Sequence, residues 1–275
     1  MVKRPTLDEL DLSLGKRTRM HRLLYEHGPG NGTALFLPID QGMEHGPNDF
    51  FPNPPCANPD YQCRLAKEGG YSGIVFHIGL ASKYMKEYVG TVPLILKLNG
   101  KTNIPSDAEA FSAQESSVED AVRLGADAVG YTLYVGSPSQ DRDFVQLGKV
   151  RAQCDRYGMP LIVWSYPRGS AVEGKGGRGS IYAVDYAARL ADELGADIVK
   201  LNVPEFGDPH NEDSPASYRK LYEEWKELDQ NVAYRLAVEK VVASAGKTMV
   251  LFSGGSRVSD HDLLTKARIC MEAGS

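Results

Sequence analysis

Two lysines in this chain stand where a lysine is costly. In Asp197-Ile198-Val199-Lys200-Leu201-Asn202-Val203 apolar and polar residues alternate. Successive side chains of a strand face opposite sides, so Val199, Leu201 and Val203 share one face while Lys200 and Asn202 share the other. With the apolar face packed under helices, Lys200 points into the centre of a sheet or barrel. A lysine there must be paired or neutral. Burial lowers a lysine pKa, and a neutral amine attacks a carbonyl to give a Schiff base. Leu94-Ile95-Leu96-Lys97-Leu98-Asn99 repeats the pattern and turns Lys97 inward with Asn99. One division of labour makes Lys200 the nucleophile. Lys97 is then the cation that tunes it or holds a substrate oxyanion.

Other reactive groups gather where strands are expected to end. Asp40 closes the run Ala34–Asp40, with Gln41, Glu44 and His45 behind it. Trp164 and Tyr166 share a face of Leu161-Ile162-Val163-Trp164-Ser165-Tyr166, which leads to Arg168. Ser253-Gly254-Gly255-Ser256 follows the last strand-like run, where glycines let backbone N–H groups approach an anion. Each has a bland alternative: Asp40 as a turn cap, Trp164 as core, Tyr166 as a buried hydroxyl. Lys101 reads as a solvated loop cation, and Tyr218–Asp229 as a solvated helix. The loop 173–179 reads as flexible and basic, either an anion lid or only an exposed loop. Glu44 with His45 is too small a set to define a metal site.

The elements that would position these groups alternate strand and helix. A helix over 7–27, opened near Ser13 and stopped by Gly28-Pro29-Gly30, precedes the first strand. Helices near 59–69, 80–88, 118–124, 140–157 and 182–194 lead to strands 73–78, 93–99, 127–134, 160–166 and 197–203. A long helical region, 216–245, expected to break in two, leads to strand 248–253, and a last helix runs over 259–272. Glycine follows several helices, as in Leu124-Gly125-Ala126-Asp127 and Leu194-Gly195-Ala196-Asp197. The strands are β-branched and apolar, as in a parallel sheet covered on both faces. Seven strands in one unbroken α/β repeat favour a (β/α)8-type TIM barrel whose eighth strand is not legible, with a doubly wound sheet as the fallback because strand order is invisible from sequence. Residues 1–32 read as a helical extension and 33–275 as the barrel domain. No glycine-rich dinucleotide fingerprint follows the first strand.

Composition agrees with a globular protein: 275 residues, 42% hydrophobic and 24% charged, with a net charge of -5. That charge gives no general pull toward nucleic acid. No apolar run is long enough for a membrane span, and the N-terminus lacks a signal-peptide core. Cys56, Cys63, Cys154 and Cys270 show no zinc or redox spacing and read as free thiols in a reducing cytoplasm.

Five stretches together resemble the archaeal-type class I fructose-bisphosphate aldolases: Leu37-Pro38-Ile39-Asp40-Gln41-Gly42-Met43-Glu44-His45-Gly46-Pro47, Leu96-Lys97-Leu98-Asn99-Gly100, Val163-Trp164-Ser165-Tyr166-Pro167-Arg168-Gly169, Gly195-Ala196-Asp197-Ile198-Val199-Lys200 and Ser253-Gly254-Gly255. The resemblance runs from about residue 33 to the end. It implies a TIM barrel that cleaves fructose 1,6-bisphosphate to dihydroxyacetone phosphate and glyceraldehyde 3-phosphate, with neither metal nor cofactor. It places the Schiff-base lysine on Lys200, the proton-transferring tyrosine on Tyr166 and an active-site acid on Asp40. Trp164 falls in the substrate pocket and Ser253, Gly254 and Gly255 at a phosphate, with Lys97, Arg168 and His45 as further substrate-binding candidates. The family pattern continues with an eighth strand and a Gly-Arg-Asn phosphate turn, for which no counterpart precedes Ser275. A cytoplasmic homo-oligomer acting on a phosphorylated sugar, with no nucleic-acid or membrane partner, is the expected setting. The alternatives are a transaldolase-like amino-dideoxyheptulosonate synthase, a thiolase of the same superfamily, and a non-catalytic phosphosugar binder.

Overall fold

The computed structural model describes residues 4–207, 213–254 and 259–275. Seven parallel strands form one curled sheet in chain order: β1 (Phe36–Pro38), β2 (Gly73–His77), β3 (Leu94–Lys97), β4 (Ala128–Val135), β5 (Leu161–Pro167), β6 (Ile198–Leu201) and β7 (Met249–Phe252). Their side chains sort with period two. Val75, Ile95, Ala128, Ile162, Trp164, Ile198 and Met249 point to the inside of the curl and form one core cluster. Ile74, Phe76, Leu96, Tyr131, Leu133, Val163, Val199 and Leu201 point outward and pack with the covering helices in another. The sheet is the TIM-barrel type expected. Among the described residues β1 and β7 each pair on one side only.

The helix ahead of the barrel is shorter than 7–27. It comprises α1 (Leu14–His21), begun where the Ser13 side chain accepts from the Lys16 N–H, and a π-helical continuation, Arg22–Glu26. It lies across the N-terminal ends of the strands. Met20, Leu23 and Leu24 join the inner core. Lys16 pairs with Asp197 at 3.0 Å just before β6, and Arg22 with Asp127 just before β4. The segment thereby plugs one end of the barrel, which fixes the other end as the open one.

Several expected bounds contract. Strand one is Phe36–Pro38 rather than 34–40, although the Ile39 N–H still donates to the Val75 carbonyl at 2.9 Å. Helix 80–88 is Ile78–Tyr84 followed by a 3-10 turn, Lys86–Tyr88. The long region 216–245 is two helices, Ala216–Trp225 and Gln230–Ser244. They are separated where the Asp229 carboxylate caps the second by accepting from the Asn231 and Val232 N–H groups. An antiparallel pair, Asn99–Gly100 with Ala113–Gln114, has no counterpart in the sequence-based expectation.

Candidate active site

Asp40 follows β1 directly and begins a single helical turn, Gln41–Glu44, in which the Glu44 N–H donates to the Asp40 carbonyl at 3.0 Å. The i, i+4 spacing sets both carboxylates on one side of the turn. Both reach Lys97: its ammonium donates to Asp40 Oδ2 at 3.1 Å and to Glu44 Oε1 at 3.3 Å. Lys97 comes inward from β3 as its alternation requires, and it is 0% exposed. Burial pulls its pKa down, but Asp40 and Glu44 outweigh that and raise it above the ordinary lysine value. Burial likewise pushes Asp40 up. The cationic Lys97 and Lys200 overcome it and hold Asp40 at about 2. Lys97 is thus a locked cation beneath the floor of the site.

Trp164 forms the rest of that floor. Its indole lies 5.2 Å from the Lys97 Nζ and 5.3 Å from the Lys200 Nζ, measured to the ring centroid, within cation–π range of both. Lys200 is the neighbour of Trp164 across the β5–β6 ladder. The ring has room because β4 carries Gly130 beside Lys97. A Cβ at Gly130 would come within 2.7 Å of the indole and 3.2 Å of Lys97 Cδ. Among the described residues the buried indole N–H has no hydrogen-bond partner.

Above this floor opens a cleft of about 1220 Å³ at the carboxyl ends of the strands, the end at which barrel enzymes do their chemistry. Lys200, Trp164, Tyr166, Asp40, Arg168, His45, Ser253 and Gly254 line it, so eight of the sequence-predicted residues converge. Lys97 underlies it without lining it. Arg168 lies 5.5 Å from the Tyr166 ring and 5.9 Å from the Tyr134 ring, and its Nε donates to Asp107 at 3.1 Å. Lys101, expected to be a solvated cation, is instead mostly buried, pairs with Asp107 at 2.8 Å and lies 6.0 Å from the Tyr134 ring. Arg178 and Lys266 also line the cleft, as do the carboxylates Asp49, Asp107, Glu205 and Asp262, so its wall carries both signs of charge.

Ser253 and Gly254 line the opposite wall. The Ser253 N–H donates to the Leu201 carbonyl at 2.8 Å, so of its two donors the hydroxyl is the one not used in the sheet. Gly255 lies outside the described residues. His45 stays on the rim, its side chain 63% exposed and bonded to Asp49 at 2.7 Å. Glu44 turns inward and His45 outward, so the two do not converge as a metal-ligand pair. Among the described residues no three His, Cys, Asp or Glu side chains gather as a ligand set.

The loop 173–179 is less free than expected. Ser170–Glu173 is a helical turn, Lys175 donates to the Asp213 carbonyl at 3.2 Å, and only Arg178 and Gly179 reach the cleft. Asn99, although inward, is structural. Its amide donates to the Thr132 carbonyl at 2.8 Å and its oxygen accepts from the Thr132 N–H at 2.7 Å, extending the β3–β4 pairing. Sequence reasoning missed Tyr134, whose hydroxyl donates to Glu44 Oε2 at 3.3 Å, and the His77–Glu115 pair beside Asp40. Tyr134 continues the alternation of β4 past Thr132, but no spacing in the sequence announces its partner 90 residues upstream.

The family model for DeoC/LacD family aldolases matches residues 34–275. A class 1 fructose-bisphosphate aldolase from Thermoproteus tenax is 41% identical over 245 residues, spanning 89% of this chain and 80% of that one. Its counterpart from Halobacterium salinarum is 33% identical over 245 residues, spanning 89% and 81%. A solved archaeal fructose-1,6-bisphosphate aldolase, with its catalytic lysine covalently bound to the carbinolamine intermediate of the substrate, superposes with a TM-score of 0.76 at 36% identity. That superposition covers 93% of this chain and 88% of that one.

Proposed function

The chain belongs to the DeoC/LacD aldolase family, and on that premise we propose that it is a class I, Schiff-base fructose-bisphosphate aldolase, an aldehyde-lyase. The observation that carries this is Lys200, an amine on the inner face of β6, set against Trp164 at the foot of a cleft at the carboxyl ends of the strands. The similarity to relatives of that activity, one with its lysine caught on the substrate, supports the same reading.

The residues supply the steps. The Lys200 amine attacks the C2 carbonyl of fructose 1,6-bisphosphate to give a carbinolamine, and loss of water gives the iminium. A base takes the C4 hydroxyl proton, and the C3–C4 bonding pair flows into the iminium. Glyceraldehyde 3-phosphate leaves and an enamine remains. Protonation at C3 and hydrolysis release dihydroxyacetone phosphate and the free amine. Tyr166 is the group we assign to both proton transfers, and Asp40 to making and dehydrating the carbinolamine. One phosphate is assigned to Ser253, Gly254 and Gly255, and the other to the side of the cleft holding Arg168, with His45 at the rim.

Supplying the enzyme with fructose 1,6-bisphosphate and no acceptor tests this. Release of glyceraldehyde 3-phosphate is expected. Release only when an acceptor aldehyde is added would assign a transaldolase-like transfer, and binding without turnover would assign a phosphosugar binder. We extend the reading to a homo-oligomer in the cytoplasm, which light scattering and cell fractionation test. No described helix is long and apolar enough to cross a membrane.

A further inference from the structure

Lys97 has one positive charge and two carboxylates. Asp40 alone, at 3.1 Å, would pair it. Glu44 adds a second anion at 3.3 Å, and its own side chain is only 13% exposed. A buried carboxylate is costly unless its charge is matched, so the surplus needs a cation. Glu44's other oxygen accepts from the Tyr134 hydroxyl, a neutral partner. His77, facing inward from β2 beside Asp40, brings its own counter-charge in Glu115. The other lysine acting on Asp40 is Lys200, neutral as the attacking amine and positively charged once it becomes the iminium.

We propose that Glu44 is a positioning residue whose charge balances the covalent state of Lys200. Lys97, Asp40, Glu44 and an iminium on Lys200 sum to zero. Without Glu44 the same set carries one uncompensated positive charge at the foot of the cleft. Glu44 shares the Lys97 charge with Asp40 and so leaves part of the Asp40 charge for Lys200. Its place four residues after Asp40 on one helical turn makes the two carboxylates a rigid pair. This rests on the Schiff-base reading above.

The test is borohydride trapping with dihydroxyacetone phosphate at subsaturating concentration. Glu44→Gln keeps the shape and one accepting oxygen for Lys97 but removes the charge, with the Tyr134 hydroxyl accepting from the new amide instead of donating. The trapped fraction is expected to fall about tenfold or more, the equivalent of one pK unit of preference for the charged form, while the melting temperature stays close to that of the parent. Adding Lys97→Met to Glu44→Gln removes the unbalanced cation and is expected to restore trapping relative to Glu44→Gln alone, a coupling that a merely structural role would not produce. A trapped fraction within twofold of the parent in Glu44→Gln overturns the proposal. So does a double variant that traps no better than the single one, whether or not the single variant folds fully. Absence of trapping in the parent protein would instead sink the Schiff-base reading itself.

Discussion

Two ammonium nitrogens lie within 5.3 Å of one indole centroid, one of them fully buried between carboxylates and the other at the foot of an open cleft. At the scale of single residues that difference separates their roles: Lys97 is pinned as a cation, whereas Lys200 is reachable by a substrate. Tyr166, on the same strand as Trp164 and two residues on, faces the same cleft. Tyr166→Phe removes a proton and almost no volume, so imine formation should persist while cleavage of fructose 1,6-bisphosphate falls by about 10²-fold or more. A normal steady-state rate in that variant would reduce Tyr166 to packing. Lys200 and Tyr166 were legible in the sequence because a period-two pattern assigns each inward side chain without any tertiary knowledge. The ion pair between Lys97 and Asp40 was not, because it joins residues 57 apart and depends on how β1 and β3 flank β2. The burial of Lys101 was hidden for the same reason. Its partner Asp107 and the Tyr134 ring come from two other segments.

At the scale of elements, β4 is the strand that makes the floor possible. Glycine weakens a strand and marks close approach by another group, and here the group is the Trp164 indole. Gly130→Ala should cost about 1–3 kcal/mol as an overpacked site and displace the indole. Urea melts and tryptophan fluorescence would report this, and a variant as stable as the parent with unshifted emission would contradict it. The outer face of β4 holds a different device. Asp143, buried in the helix Gln140–Tyr157, accepts from the Tyr131 hydroxyl at 2.6 Å and the Tyr134 N–H at 3.2 Å. Burial nevertheless pushes its carboxyl up to about 6. A carboxyl raised above its unfolded value of about 3.9 favours the fold fully below that pH and loses the contribution as pH rises through about 6. Roughly 2–3 kcal/mol is at stake. Asp143→Asn should shrink the difference in melting temperature between about pH 4.5 and about pH 7.5, on either side of that raised pKa. An unchanged difference would show that the carboxyl titrates normally. Strand and helix order were readable from apolar runs and glycine stops. The shortened β1 was not, nor was the docking of α1 across the barrel end, which rests on ion pairs to residues more than 100 positions away.

For the whole molecule, the consequential feature is the space between β1 and β7. Ala34, Leu35, Val250, Leu251 and Phe252 line one mainly apolar cavity of about 230 Å³, and Ser275 lies at its wall. Among the described residues these two strand edges face the cavity unpaired, and unpaired edges attract other strands.

The covalent role of Lys200 is the claim on which the rest depends, and one measurement reaches it directly. The protein is incubated with dihydroxyacetone phosphate, reduced with borohydride, digested and mapped by mass spectrometry. The account predicts a single reduced adduct on the peptide containing Lys200, absent when borohydride is omitted. An adduct on Lys97, or none on any lysine while fructose 1,6-bisphosphate is still cleaved, would contradict it.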